Sequence, residues 1–299
     1  MNMKRNSVGD KVFDCFNLTG LFILVGLILY PLLFVAIASL SEPDQIYNAA
    51  FLLWPKGFQL ESYRIVMENP DIWIGFVNTI VYTVSGTLIS MILSVLGAYP
   101  LSRSDFKGRR FFSFFITFTI FFSAIGGMIP LYFVIDKLGM LNTMWSAILP
   151  GGVVVLNMII IRSYFETKIP MEVQESAALD GCGNFRLLFS IILPLSKPVL
   201  AIMILFYFVH HWNAFFYALI FITEKDKYPL QLVLREILVN NNLNNLLPTM
   251  TDQNYLERLK QQQSLKYAAI VITTLPVLVL YPFVSKHFKE GLLVGSVKG

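Results

Sequence analysis

The run LFYFVHHWNAFFYALIF at 205–221 sets His210, His211, Trp212 and Asn213 in the middle of an otherwise apolar segment. Two chemistries are open to such a group. Imidazole titrates near neutrality and could pass protons; imidazole, amide and phenol together could hydrogen-bond a polar solute against an aromatic wall. His210, Asn213 and Tyr217 fall at i, i+3 and i+7, one face of a continuous helix. Polar groups at membrane depth are costly and usually face a bundle interior or a wet path. The same residues could therefore line a solute pathway or satisfy one another as an interhelical hydrogen-bond cluster. Asn78 and Thr79, at the outer start of an earlier apolar run, are open to the same two readings. No GxxxxGK[ST], HExxH, GxSxG or CxxC occurs, so no residue is expected to be catalytic, and no metal site is expected. Cys15 and Cys182, the two cysteines, imply no disulfide framework.

The elements that must position these groups follow from composition. Of 299 residues, 56% are hydrophobic, 26 are Phe and 14% are charged, whereas soluble domains carry about a quarter charged residues. An all-α integral membrane protein is expected. A bilayer core about 30 Å thick needs roughly 20 apolar residues of helix. The qualifying runs are 18–40, 73–101, 111–135, 145–164, 199–223 and 267–284, six transmembrane helices in one domain covering 1–299. Membrane strands would need ten-residue alternation, which is absent. The first run lacks a small-residue cleavage site and reads as a retained span.

Basic residues set the orientation. Lys4, Arg5 and Lys11 precede the first span, Arg103, Lys107, Arg109 and Arg110 follow the second, and Arg162, Lys168, Arg186 and Lys197 lie in or just before the loop 166–198. Residues 41–72 carry only Lys56 and Arg64 against five acids. Both termini are expected in the cytoplasm of a multi-pass membrane protein, with membrane lipid around it. The segment 224–266 is expected outside; its six basic residues are tolerated because long translocated loops obey charge weakly. The net charge of +4 is spent on topology, and nucleic acid is not an expected partner.

One further stretch is patterned: VQESAALDGCGNFRLLFSIILPLSKP at 173–198. Helix formers run from Met171 to Cys182, Pro170 suits a first turn, and Gly181 and Gly183 permit a sharp turn. Asn184 could cap a second helix carrying Phe185, Leu187, Leu188, Ile191 and Ile192, which Pro194 and Pro198 would break. A short helix lying crosswise on the cytoplasmic face, projecting Glu175, suits docking to another protein, although a plain surface helix is the simpler reading. In the second span, Gly86, Ser90, Ser94 and Ala98 recur every four residues, a seam for close helix packing.

Glu175-Ser176-Ala177, Gly181 and Ile191-x-Leu193-Pro194, at that spacing, resemble the EAA loop of ABC import permeases; Ser176 stands where the family usually has Ala. The segments GFQLESYRIV, FVNTIVYTVSGTLI, AYPLSRSDFKGRR, HHWNAFFYALIF and HFKEGLLVGSVKG are similar to the smaller subunit of maltose-type carbohydrate permeases. YPLQLVLREIL and YAAIVITTLPVLVLYPFVSKHF are most similar to permeases for complex oligosaccharides, including uronide-containing ones. The resemblance implies a type I importer transmembrane domain with no cofactor of its own, ATP and Mg being used by a separate ATPase. It assigns ATPase coupling to Glu175, Ser176, Ala177, Asp180, Gly181, Leu193 and Pro194. The tail 285–299, with Gly291, Gly295 and Lys298, would reach between two ATP-binding subunits. A second homologous permease, an extracytoplasmic solute-binding protein and an oligosaccharide complete the implied assembly, with alternating access as its mechanism. The substrate-pathway residues implied are His210, Trp212, Asn213, Tyr217 and Asn78.

Two other classes compete. A proton-coupled secondary transporter would use the intramembrane histidine pair and need no ATPase. A membrane assembly or sensor subunit would have only a packed polar cluster. Neither needs the patterned loop.

Overall fold

Among the described residues of the computed structural model, 8–47, 51–122, 126–239 and 260–279, no strand occurs. The chain is all-α, and its helices are those of a membrane protein. The long apolar helices are α1, Val8–Ser39, and α4, Pro70–Ser102, with the short α2, Pro43–Tyr47, and α3, Glu61–Glu68, between them. After α5, Arg109–Thr119, and α6, Met128–Lys137, come α7, Met144–Ile148, and α8, Val155–Lys168. The loop contributes α9, Met171–Leu179, α10, Asn184–Leu187, and α11, Leu193–Leu195. The chain continues through α12, Lys197–Trp212, α13, Phe216–Phe221, α14, Leu230–Val239, and α15, 260–279.

Among the described residues, three helices are long and apolar enough to cross a bilayer, α1, α4 and the stretch Lys197–Phe221. The run expected at 145–164 is instead a pair, Met144–Gly151 and Val155–Lys168, bent by 52°. Pro150, Gly151 and Gly152 sit at that bend; proline withholds a helix donor and glycine is a poor helix former. The run expected at 111–135 falls on α5 and α6, with 123–125 outside the described residues. The run expected at 267–284 lies on α15 as far as residue 279.

The chain divides into two compact units. In one, formed by the residues up to Asn69 with 236–239 and 260–274, α1 exposes most of its apolar surface, as a lipid-facing helix does. Its end is fastened where Ser39 Oγ meets the Tyr63 hydroxyl at 2.7 Å. The buried Ser62 and Ser264 hydroxyls pair at 2.7 Å, joining α3 to α15.

The other unit is built around α4, with α8 and α12 packed along it. The small-residue seam explains why α12 comes so close. A Cβ on Gly86 would lie 2.7 Å from His211 Nδ1, so the imidazole rests on bare backbone. One turn on, Ser90 Oγ meets His211 Nε2 at 2.9 Å, and Ser94 Oγ bonds the Tyr207 hydroxyl. Tyr207 and His211 are themselves one turn apart, so two matched i, i+4 ladders lock the helices together. Gly97 serves α8 in the same way, a Cβ there falling 2.8 Å from Met158 Sδ. At the other end of α4, Asn78 Nδ2 donates to the Asp226 and Tyr228 carbonyls at 2.7 and 3.1 Å, and the Tyr82 hydroxyl to that of Lys227 at 2.9 Å. Thr79 Oγ1 accepts the Leu230 N–H at 2.8 Å, satisfying an orphan donor at the start of α14.

Candidate functional site

The patterned loop begins where α8 stops. Pro170 disfavours helical geometry at the preceding residue, and Ile169 is extended, with φ −106° and ψ 107°. α9 ends in a Schellman arrangement: Gly181 adopts φ +74°, and the Cys182 N–H bonds the Ala177 carbonyl at 2.9 Å. Nothing lies within 4 Å of a Cβ built on Gly181, so glycine is required there by backbone conformation and not by crowding. The expected capping role of Asn184 is not observed. Gly183 is the N-cap, extended at φ −71° and ψ 159°, its carbonyl accepting the Leu187 N–H at 2.9 Å, while Asn184 is already helical.

The second half of the loop holds a local widening. Leu188–Ile192 is a π-turn lying between α10 and α11. Pro194 follows it; a proline here has no N–H for the Ser190 carbonyl and would crowd it, and the wider turn relieves that clash. Leu187, Leu188, Ile192 and Ala177 are buried in the same apolar cluster as Val95, Ala98, Ile161 and Met203 of the membrane helices. Leu193 packs against that cluster from its edge. The loop is thus set into the bundle's core. Its outer surface carries Glu175, Ser176, Asp180 and Gly181, all exposed. Leu179 and Phe185, 90% and 75% exposed, flank the Gly181 turn as apolar knobs; sequence reasoning put Phe185 with the apolar residues of the second helix and did not single out Leu179. The available signal was two large apolar residues bracketing a glycine turn in a polar stretch. Gly291, Gly295 and Lys298 lie outside the described residues.

The intramembrane group divides differently from the expectation. α12 ends at Trp212 and α13 starts at Phe216, so His210, Asn213 and Tyr217 do not share a face of one helix. Asn213 is the C-cap, and its Nδ2 donates back to the Val209 carbonyl at 2.9 Å; such local bonds compete with helix continuation. His210 and Tyr217 nonetheless meet, through Gly151: a Cβ there would lie 3.3 Å from His210 Nε2 and 3.4 Å from Tyr217 Cε2. The α7–α8 bend and the α12–α13 break therefore face each other, and His210 is exposed beside them. Irregular backbone at membrane depth persists only where protein buries it or where it lines a wet cavity. His211 and Trp212 are only 5% and 3% exposed. The first is held in the seam by Ser90, and the second packs on Phe208 with rings 5.8 Å apart. Asn78 spends its amide donors on the 226–228 carbonyls. Gly151 is the member the sequence reading missed. Among the described residues no cluster of His, Cys, Asp or Glu suits a metal.

Together these features define an all-helical membrane domain, with interrupted helices in the bundle and a patterned loop anchored in its core. The chain belongs to the family described as "binding-protein-dependent transport system inner membrane component", which matches residues 1–293. It is 38% identical over 296 residues to protein LplC of Bacillus subtilis (strain 168), covering 99% of this chain and 98% of that one. It is 37% identical over 291 residues to the polygalacturonan/rhamnogalacturonan transport system permease protein YtcP of the same organism, covering 97% and 99%. Among solved structures it matches a bacterial ABC transporter involved in the import of the acidic polysaccharide alginate, with TM-score 0.84 and 31% identity over 96% of this chain and 100% of that one. It is accordingly an inner-membrane permease subunit of an ABC importer, with no cofactor of its own. Membership of the family implies a partner permease, a separate ATPase subunit and a binding protein.

Proposed function

We propose that the chain forms half of the pathway of an ATP-driven importer for oligosaccharides, including uronide-containing ones. The similarity to a polygalacturonan/rhamnogalacturonan permease and to an alginate importer supports that substrate class. The observation that carries the coupling role is the loop's construction: Ala177, Leu187, Leu188 and Ile192 are buried in the membrane core while Leu179, Phe185 and Glu175 face outward. A helix so anchored can transmit displacement, because packed cores resist compression.

In this reading two ATP-binding subunits use ATP and Mg, one under this chain and one under the second permease. The exposed face of α9 and the turn after it, with Glu175, Ser176, Asp180 and Gly181, sits in a groove of the nearer one, and the tail with Gly291, Gly295 and Lys298 reaches between them. Both termini are cytoplasmic, and 224–266 meets the solute-binding protein. ATP shifts the permease between inward- and outward-facing states only through the differing affinities of the two states. Sugar passes the facing helix interruptions, where His210 and Tyr217 offer a hydrogen-bonding nitrogen and an aromatic face. A proton relay through both histidines finds no support, since His211 is held by Ser90 within the packed seam.

Gentle solubilisation of the tagged chain should bring down a nucleotide-binding subunit and a second permease. Recovery of neither sinks the importer reading. In the reconstituted complex, binding protein loaded with oligogalacturonides should stimulate ATP hydrolysis above that loaded with neutral maltodextrins, and equal or no stimulation removes the uronide assignment.

A further inference from the structure

Beside the loop that follows α4, a cavity of about 840 Å³ is lined by Lys107, Arg109, Arg110 and Arg162, with Phe111 and Ser113 among the other lining residues. The charges there are unevenly matched. Glu166 pairs with Arg109 and, at 2.9 Å, with Arg162 Nε, whose Nη1 donates to Ser113 Oγ at 2.8 Å. Lys107 and Arg110, both exposed, form no ion pair among the described residues. The nearby Asp105 does not neutralise them, because Arg103 Nε and Nη2 fork onto its carboxylate at 2.8 and 2.6 Å. That hydrogen bonding also holds the Asp105 carboxyl below its usual range. One shared carboxylate thus faces four cations.

The cavity opens onto an apolar surface of a particular kind. α5 starts at Arg109 within it and buries none of its residues. Phe111, Phe114, Phe115 and Phe118 are all exposed, with Phe111 stacked on Phe115 and Phe114 on Phe118. A basic cup continuous with an aromatic, lipid-compatible helix face fits one kind of molecule, with a phosphate at one end and acyl chains at the other. Arginine and lysine groups at a membrane surface attract anionic headgroups, and arginine forks match phosphate oxygens. We propose that this cavity binds the phosphate of an anionic phospholipid, its acyl chains lying along α5. The fixed pair Arg109 and Arg162, braced by Glu166 and Ser113, frames the site, and Lys107 and Arg110 supply its uncompensated charge. This inference does not depend on the coupling role of the loop or on the identity of the sugar.

The test uses the assembled transporter in mixed phosphatidylglycerol and phosphatidylcholine, with lipid retained through purification counted by native mass spectrometry. The wild-type complex should keep phosphatidylglycerol in preference to phosphatidylcholine. Lys107→Gln with Arg110→Gln leaves the Arg109, Glu166 and Arg162 brace intact and should cut that preference about thirtyfold, the scale expected for two interfacial cations. Neutralising Lys11 and Lys168, also basic, should leave it unchanged. Equal losses from both pairs would reduce the effect to general surface charge and overturn the site. Millimolar inorganic phosphate should not displace the lipid; displacement at that concentration would make the ligand a free anion. If the double substitution releases a partner subunit while lipid retention stays at the wild-type level, the cavity is a protein contact and the lipid proposal fails.

Discussion

The patterned loop at 166–198 and the break after Trp212 are both departures from regular helix, and they are stabilised in opposite ways. In the loop, backbone devices do the fixing: Gly181 at φ +74°, a Schellman bond, a π-turn ahead of Pro194, and four side chains sunk into the core. Its exposed Leu179 and Phe185 face outward, where the proposed partner would meet them. At the break the fixing is done by small residues and polar side chains. Gly151 admits His210 and Tyr217, and Asn213 folds back on Val209. A lever must keep its shape when pushed, whereas a passage must offer polar groups without filling itself. On the proposed reading, the two regions divide along that line.

The largest expected effect comes from replacing the glycine on which the lever turns. A residue with Cβ in the left-handed region costs about 1–2 kcal/mol, and a β-branched one fits it worst. Gly181→Val should leave the chain in the membrane and abolish binding-protein-stimulated ATP hydrolysis and uptake. Gly181→Asn, which tolerates that conformation and meets open space, should retain a substantial fraction of both. Equal loss from Val and Asn would mean that the surface at residue 181, and not its backbone, is what matters.

A smaller effect separates the two histidines. His211→Leu removes the partner of the buried Ser90 hydroxyl, a bond of a kind worth roughly 0.6 and at most about 1.7 kcal/mol between membrane helices. It should lower the melting temperature of the detergent-solubilised complex while uptake per folded complex persists. His210→Leu should do the reverse, slowing uptake or changing the preferred sugar with the melting temperature unchanged. The exchange of these outcomes between the two variants would break the division between packing and passage.

The helical membrane class was legible because runs of about 20 apolar residues match the thickness of a bilayer core and exceed what a buried core helix needs, and the family because the Glu175 to Pro194 pattern keeps its spacing. The break after Trp212 was not. Ala214, Phe215 and Phe216 do not forbid helix, and the change of register shows only in the structure, where the Ala214 N–H bonds the His211 carbonyl at 3.2 Å. The division between His210 and His211 was hidden for a related reason: adjacent helical residues point about 100° apart, and only the facing helix decides which is buried. A clue did exist, since Tyr207 and His211 repeat at the same four-residue interval as Ser90 and Ser94. Gly151 was invisible as a site residue because what it contributes is the lack of a side chain.

The smallest expected effect lies at Asn78, which sequence reasoning placed in the pathway and whose amide bonds the Asp226 and Tyr228 carbonyls. Each such bond is worth about 0.5–1.5 kcal/mol net, and Thr79 and Tyr82 hold the same segment independently. Asn78→Ala should therefore speed amide hydrogen exchange across 225–230 by about tenfold at most, with uptake near the wild-type rate. A variant that loses uptake while exchange there stays unchanged would return Asn78 to the passage. The boundary between scaffold and pathway would then run along α4 itself, on the side of the helix opposite to the one its hydrogen bonds indicate.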